Sequence, residues 1–254
     1  MNTLSRKNDR LTEVICLSSG KGGVGKSSIA VNLAVSLANQ QKRVLIVDAD
    51  LGLANIDILL GLNIRHTVQD SVEHGVPLTD ILVECHGFFL LPASSGVPEM
   101  ANLAYEDQAY LTSVLEQIID DFDYVLVDCA AGVGESVLWF NQWAHSNIII
   151  LSADPTSMTD AYALGKILAT KYDKKNFKLV INNVKSNKEG AKVYNNMVLV
   201  FKNFLKIEPE LLGIIPNDHH VAQAIRNQRP FMLDAPDCVA GHSLLEMSKM
   251  ILDS

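Results

Sequence analysis

The sequence predicts an α/β fold, a mostly parallel β-sheet with helices on both faces, and three observations predict it. Short, continuously apolar runs recur at residues 14–17, 44–47, 88–91, 124–127, 148–151, 179–181 and 211–215. Runs of this kind, without polar alternation, suit strands buried on both faces. Longer stretches with helical spacing lie between them, at residues 26–40, 108–119, 159–172, 191–204 and 221–227; strand–helix alternation builds parallel sheets through βαβ crossovers. The third observation is the string GKGGVGKS at residues 20–27, set between the first apolar run and the first helical stretch. In open parallel sheets ligands gather beyond the carboxyl ends of the strands, and the polar motifs of this chain fall at those ends.

At 254 residues the chain suits one large α/β domain, expected over residues 13–254 and preceded by a flexible segment at 1–12. A formal net charge of −8 and a pI near 5.3 argue against a whole surface built for nucleic acid, though a local basic patch fits within that balance. Cys16, Cys85, Cys129 and Cys238 are widely spaced with no CxxC pair, as expected of buried thiols in a reducing compartment. Arg6, Lys7 and Arg10 are followed by no apolar signal core, and no apolar run approaches the length of a spanning helix. A cytoplasmic protein is therefore expected.

Residues 20–27 match GxxxxGK[ST], the phosphate-binding loop pattern, in the strand–loop–helix context that the pattern requires. Gly20, Gly22, Gly23 and Gly25 open backbone conformations closed to residues with a Cβ, so that successive N–H groups of the loop, from Gly20 through Lys21 and Val24 to Ser28, can turn inward around phosphate oxygens. The next helix adds its positive N-terminal end. Lys26 can reach the β- and γ-phosphates as a point charge, and the Ser27 hydroxyl is placed to ligate Mg²⁺.

Further polar groups follow three later strands. Asp48 and Asp50 end the second apolar run, where carboxylates hold Mg²⁺ through water, orient an attacking water, or simply form a solvated acidic loop. Residues 124–127 deliver Asp128 at the end of an apolar strand, the arrangement that bonds Mg²⁺ through its water shell; Ala131 and Gly132 then let the next loop approach the γ-phosphate. Cys129 reads as a small packed residue. Asn182 and Asn183, with Pro216, Asn217 and Asp218, either read an adenine edge or form turns. His219 and His220 stand at no recognisable metal spacing and read as surface or helix-start residues.

The loop, with its additional lysine Lys21 after the first glycine, resembles the deviant Walker A loop of the MinD/ParA family of P-loop ATPases, and DCAAG at residues 128–132 resembles that family's switch II, with Cys129 where serine or threonine is more familiar. The resemblance implies a SIMIBI-type P-loop fold binding ATP and Mg²⁺. It also implies an ATP-dependent homodimer in which Lys21 reaches the partner's nucleotide, a switch I in which Asp50 supports hydrolysis with Asp48 on the metal side, and slow, switch-type ATP hydrolysis. Residues 48–61 (DADLGLANIDILLG), 91–103 (LPASSGVPEMANL), 155–164 (PTSMTDAYAL) and 226–231 (RNQRPF) are similar to the FlhG/FleN branch of flagellar-number regulators. That branch implies a flagellar transcriptional activator and an FlhF-type GTPase as partners, and a polar or inner-membrane-peripheral location.

Two features depart from the branch. The DQAxxLR-type segment that stimulates the partner GTPase is not visible in residues 1–14, and the apolar stretch at 239–252 carries Lys249 as its only basic residue. A membrane-surface helix usually shows a basic polar face, so this stretch is expected to pack on the sheet. The alternatives are a positioning ATPase acting directly on DNA or membrane, and an iron–sulfur carrier of the same fold, which needs paired cysteines at the dimer axis.

Overall fold

The computed structural model describes residues 11–51, 55–93 and 105–254. The chain runs β1 (Glu13–Ser19), α1 (Lys26–Asn39), β2 (Val44–Ala49), α2 (Ile56–Leu60), α3 (Val68–His74), α4 (Leu78–Ile81), β3 (Val83–Cys85), β4 (Phe88–Leu91) and α5 (Tyr105–Ile118). It continues through β5 (Tyr124–Ala131), α6 (Glu135–Trp143), β6 (Ser146–Leu151), α7 (Pro155–Tyr172), β7 (Phe177–Val184), α8 (Asn187–Leu205), β8 (Glu210–Pro216), α9 (His219–Arg226), α10 (Phe231–Asp234) and α11 (Val239–Leu252). Among the described residues the strands form one sheet in the order β3-β4-β2-β5-β1-β6-β7-β8. Every neighbouring pair is parallel except β3 with β4.

The apolar runs behave as strands covered twice over. Val14 and Cys16 of β1 join one core with α5, α6, α7 and α8, whereas Ile15 and Leu17 join the core on the other face with α1 and α11. This alternation follows from the two-residue period of a strand. β1 lies between β5 and β6, and the chain leaves it toward β2 on one side before later building β6, β7 and β8 on the other. Such a reversal opens a crevice at the strands' carboxyl ends, and the loop at residues 20–25 occupies it.

All seven expected strands are present. The structure adds β3, a three-residue antiparallel edge too short and too exposed to read as an apolar run. It also moves four helix starts, two of them by four residues. α7 begins at Pro155 rather than residue 159, because the Asp154 carboxylate accepts from Thr156 N and proline occupies the first turn. α8 begins at Asn187 rather than residue 191, with the Ser186 hydroxyl accepting from Glu189 N. Of the segment expected to be flexible, residues 1–10 lie outside the described ones, while Thr12 is buried and donates its hydroxyl hydrogen bonds to Phe122 O (2.8 Å) and Ile119 O (3.0 Å).

The C-terminal stretch packs as expected. α11 buries Leu244, Met247 and Ile251 in the core it shares with α1 and β8, and Ser36 of α1 donates to Ser248 Oγ at 2.8 Å. Among the described residues no helix is long and apolar enough to cross a membrane.

Candidate active site

The glycines of the loop serve different ends. Gly23 and Gly25 have φ of +76° and +91°, the left-handed region that favours glycine. Gly20 is needed for space instead: a Cβ there would lie 2.3 Å from the Asp160 carbonyl carbon, so α7 seats directly on the loop. Gly22 meets neither constraint, which corrects the expectation that all four glycines supply conformational freedom. Val24 is buried, and its carbonyl accepts from Asn182 Nδ2 at 2.7 Å, tying the loop to the end of β7.

At the bottom of the site Lys26 Nζ donates to Asp128 Oδ1 at 2.6 Å, with both side chains buried. Burial draws the Lys26 ammonium toward losing its proton, but the charge and hydrogen bond of Asp128 outweigh that and hold its pKa above the ordinary value. Asp128 Oδ2 and Ser19 Oγ are buried with no hydrogen-bond partner in the protein. Buried polar oxygens left unpaired are costly, and hard oxygen donors beside a phosphate loop suit Mg²⁺. The residues present therefore fit the ion: Ser27, half-buried at the start of α1, and Asp128 are the groups that would hold it with nucleotide phosphate.

Asp48 pairs in register with Asp128 across β2 and β5. It is buried, and its oxygens accept from Asp50 N (3.2 Å), Asn55 N (3.2 Å) and Ile56 N (3.3 Å). The carboxylate faces the backbone of Asp50, Asn55 and Ile56, a geometry that suits an anchor for the loop beside the metal-side role expected from the sequence. Burial, with the Asp128 charge beside it, pushes its pKa from 3.8 up to about 7 against the pull of those three N–H groups. The folded chain thus retains a proton that the unfolded chain releases, and stability is expected to fall as pH rises from about 4 to about 7 and to level off above. Denaturant midpoints of wild type and Asp48→Asn should show the variant gaining on wild type across that window; a constant difference would contradict the assignment.

Lys21 sits at the rim. Its ammonium donates to Asp154 Oδ2 at 3.0 Å and to Thr156 Oγ1 at 2.6 Å, at the first turn of α7 in the same chain. Hydrogen bonds from Thr156 and then Lys21 lower the Asp154 pKa to about 2. Sequence reading missed both partners because it began the helix four residues late; the D-P-T cap signal at 154–156 was there to be read.

Two cavities meet at the loop. One of about 440 Å³ is lined by Gly22 to Ser28 together with Ser19, Asp50, Asn55 and Ala131. The other, about 230 Å³, is lined by Gly23, Val24, Gly25, Asn182, Asn183, Pro216, Asn217 and Asp218, with Ile215, Val221, Ala222 and Ile225, which sequence reading had not assigned. Asn183 Oδ1 accepts from Asn217 Nδ2 at 2.6 Å. Asp218 caps α9 through His220 N (3.0 Å) and accepts from Ala240 N (3.1 Å), so its carboxylate braces the cavity wall. His220 Nδ1 lies 2.8 Å from the same carboxylate, the helix-start position expected for it.

A family model described as "ParA: NUBPL iron-transfer P-loop NTPase" matches residues 10–252. The chain belongs to the ParA/MinD family of P-loop ATPases. It is 39% identical over 218 residues to the antiactivator FleN of Pseudomonas aeruginosa, covering 85% of this chain and 78% of FleN. It is 30% identical over 243 residues to the flagellum site-determining protein YlxH of Helicobacter pylori, covering 95% and 82%. Among solved structures, the MinC:MinD cell division protein complex of Aquifex aeolicus superposes with a TM-score of 0.77 at 28% identity, covering 96% of both chains. As a ParA/MinD protein the chain is an ATPase.

Proposed function

We propose that this ATPase is a dimerising switch: ATP and Mg²⁺ close two copies face to face, hydrolysis opens them, and the closed form regulates flagellar number through protein partners. The observation that carries the reading is the position of Lys21. It belongs to the phosphate loop itself, and its ammonium is half-exposed and held by polar groups of its own chain. Exchange of Asp154 and Thr156 for the phosphates of a facing copy replaces one set of oxygen ligands by a more strongly charged one. In this reading Lys26 and the loop amides hold the phosphates, Ser27 and Asp128 hold Mg²⁺, Asp50 positions water, and Asp48 anchors the switch around it. The similarity to FleN and YlxH supports the flagellar role, with a flagellar transcriptional activator and an FlhF-type GTPase as candidate partners.

The surface offers one face for such a partner. Ten lysines, no arginine and two acidic residues lie between residues 166 and 206, a net charge of +8 within a chain of −8. Along α8 the exposed residues Lys188, Lys192, Asn195, Leu199, Lys202 and Lys206 follow one another at three- and four-residue spacing, a single stripe. Phe204 beside it is 72% exposed. Basic groups around exposed Leu199 and Phe204 suit an acidic protein surface with an apolar centre.

Lys188→Glu/Lys192→Glu/Phe204→Ser is expected to lower capture of the purified activator with ATP at least about tenfold while leaving ATP turnover unchanged. Unchanged capture would remove α8 from the interface. Loss instead of salt-sensitive DNA binding or of anionic liposome binding would favour the positioning-ATPase alternative, for which this same basic face would serve. The iron–sulfur carrier reading lacks ligands: Cys16, Cys129 and Cys238 are buried, and Cys85 has no cysteine beside it.

A further inference from the structure

The segment at residues 226–232 touches three elements of the nucleotide site at once. On its N-terminal side is α9, whose Val221, Ala222 and Ile225 line the 230 Å³ cavity; Ile225 also lines the phosphate cleft. Met232 N donates to Oδ1 of the buried Asn32 in α1, the helix that starts at Lys26, at 3.0 Å. Gln228 Nε2 donates to Ile58 O in α2 at 2.8 Å, across 170 residues of sequence. α2 begins at Ile56, whose N–H, with that of Asn55, is bound by Asp48.

Gln228 holds a φ of +52°. That conformation ends α9, with Gln228 N donating to Ile225 O and Arg229 N to Ala224 O, and it carries the Gln228 side chain across to α2. The contact is close on both sides. Gly61, the left-handed cap that ends α2, lies so near that a Cβ on it would meet Gln228 Cβ at 3.4 Å. Gly61 N also donates to Ile58 O, so Gln228 shares a last-turn carbonyl of α2 with the helix's own cap.

We propose that Gln228 is a positioning residue for ATP hydrolysis, coupling occupation of the 230 Å³ cavity by the nucleoside to the placement of the switch carrying Asp50. A base seated against Val221, Ala222 and Ile225 fixes α9. The turn after α9 then fixes the carboxyl end of α2 through Gln228, and α2 in turn fixes Asn55 and Ile56, whose N–H groups share the Asp48 carboxylate with Asp50 N. Inorganic phosphates fill the phosphate cleft, which Ile225 lines but Val221 and Ala222 do not, and would not set the switch in this way. Gln228 touches no reacting atom; it acts through α2.

The test compares wild type and Gln228→Gly, which removes the amide and also relieves the positive φ, so that melting temperature should hold or rise. Hydrogen exchange over residues 55–62 is measured with saturating ADP and with saturating pyrophosphate. Wild type should show protection with ADP that pyrophosphate does not reproduce. The variant should lose that difference while binding ADP within about twofold of wild type, and its ATP turnover should fall about fivefold with KM little changed, the loss of one neutral hydrogen bond. Equal protection by pyrophosphate in wild type, or an ADP-specific protection that survives in Gln228→Gly, would overturn the proposal. So would a fall in turnover matched by a fall in ADP affinity. None of these readouts depends on a partner protein or on dimer function.

Discussion

Lys21→Ala should bind ATP nearly as wild type does and fail to dimerise with it. The side chain makes its described hydrogen bonds to Asp154 and Thr156, on the surface of its own chain, and none to the buried Lys26–Asp128 pair. Its loss therefore leaves the loop backbone, Lys26 and Asp128 in place, and ATP affinity should stay within about threefold. A facing copy, by contrast, would meet triphosphate without the cation that neutralises it. Closely opposed anions left unscreened repel strongly in a water-poor interface. Light scattering with ATP and Mg²⁺ should find the variant monomeric at concentrations where wild type is dimeric. Asp154→Ala makes the complementary case: it frees the ammonium from its own chain and should strengthen the ATP dimer. If Lys21→Ala dimerises normally, Lys21 is a surface lysine and nothing more.

Lys26→Met should cost both nucleotide and fold. Lys26 and Asp128 are in contact at 2.6 Å, their side chains 9% and 1% exposed. Removing one member of a buried pair strands the other, at about 3–5 kcal/mol. Here the stranded carboxylate also faces Asp48 across the strand pair. At roughly 2–4 °C per kcal/mol for a chain of this size, the melting temperature should fall by about 10 °C. The double variant Lys26→Met/Asp128→Asn removes the stranded charge and should recover much of that loss without recovering ATP binding. A single variant that melts like wild type would mean that Asp128 takes up a proton at little cost, and that the pair does not hold the strand ends together.

The parts of this architecture legible in the sequence are those fixed by local pattern. Strands buried on both faces show as unbroken apolar runs, and the loop shows as a string whose spacing chemistry dictates. What stayed hidden depends on distance along the chain. Nothing near Lys21 reveals that Asp154, 133 residues away, will hold it, nor does RNQRPF reveal that Gln228 will grip α2. Asp218 shows the same distance dependence: its position after β8 suggested a base contact, and nothing near it reveals that Ala240 N from α11 donates to its carboxylate. Residues 52–54 and 94–103, parts of the strings that resemble the flagellar branch, fall outside the described residues. The basic face was invisible in the total charge, because 27 of the 29 acidic residues lie outside residues 166–206.

The dimerising switch is tested most directly by molar mass in solution, measured by light scattering for wild type and for Asp50→Ala with ADP and with ATP plus Mg²⁺. The account predicts monomers with ADP, a wild-type dimer with ATP that decays as ATP is consumed, and a dimer that persists in Asp50→Ala. Monomers under every condition, with ATP hydrolysis intact in wild type, would contradict it.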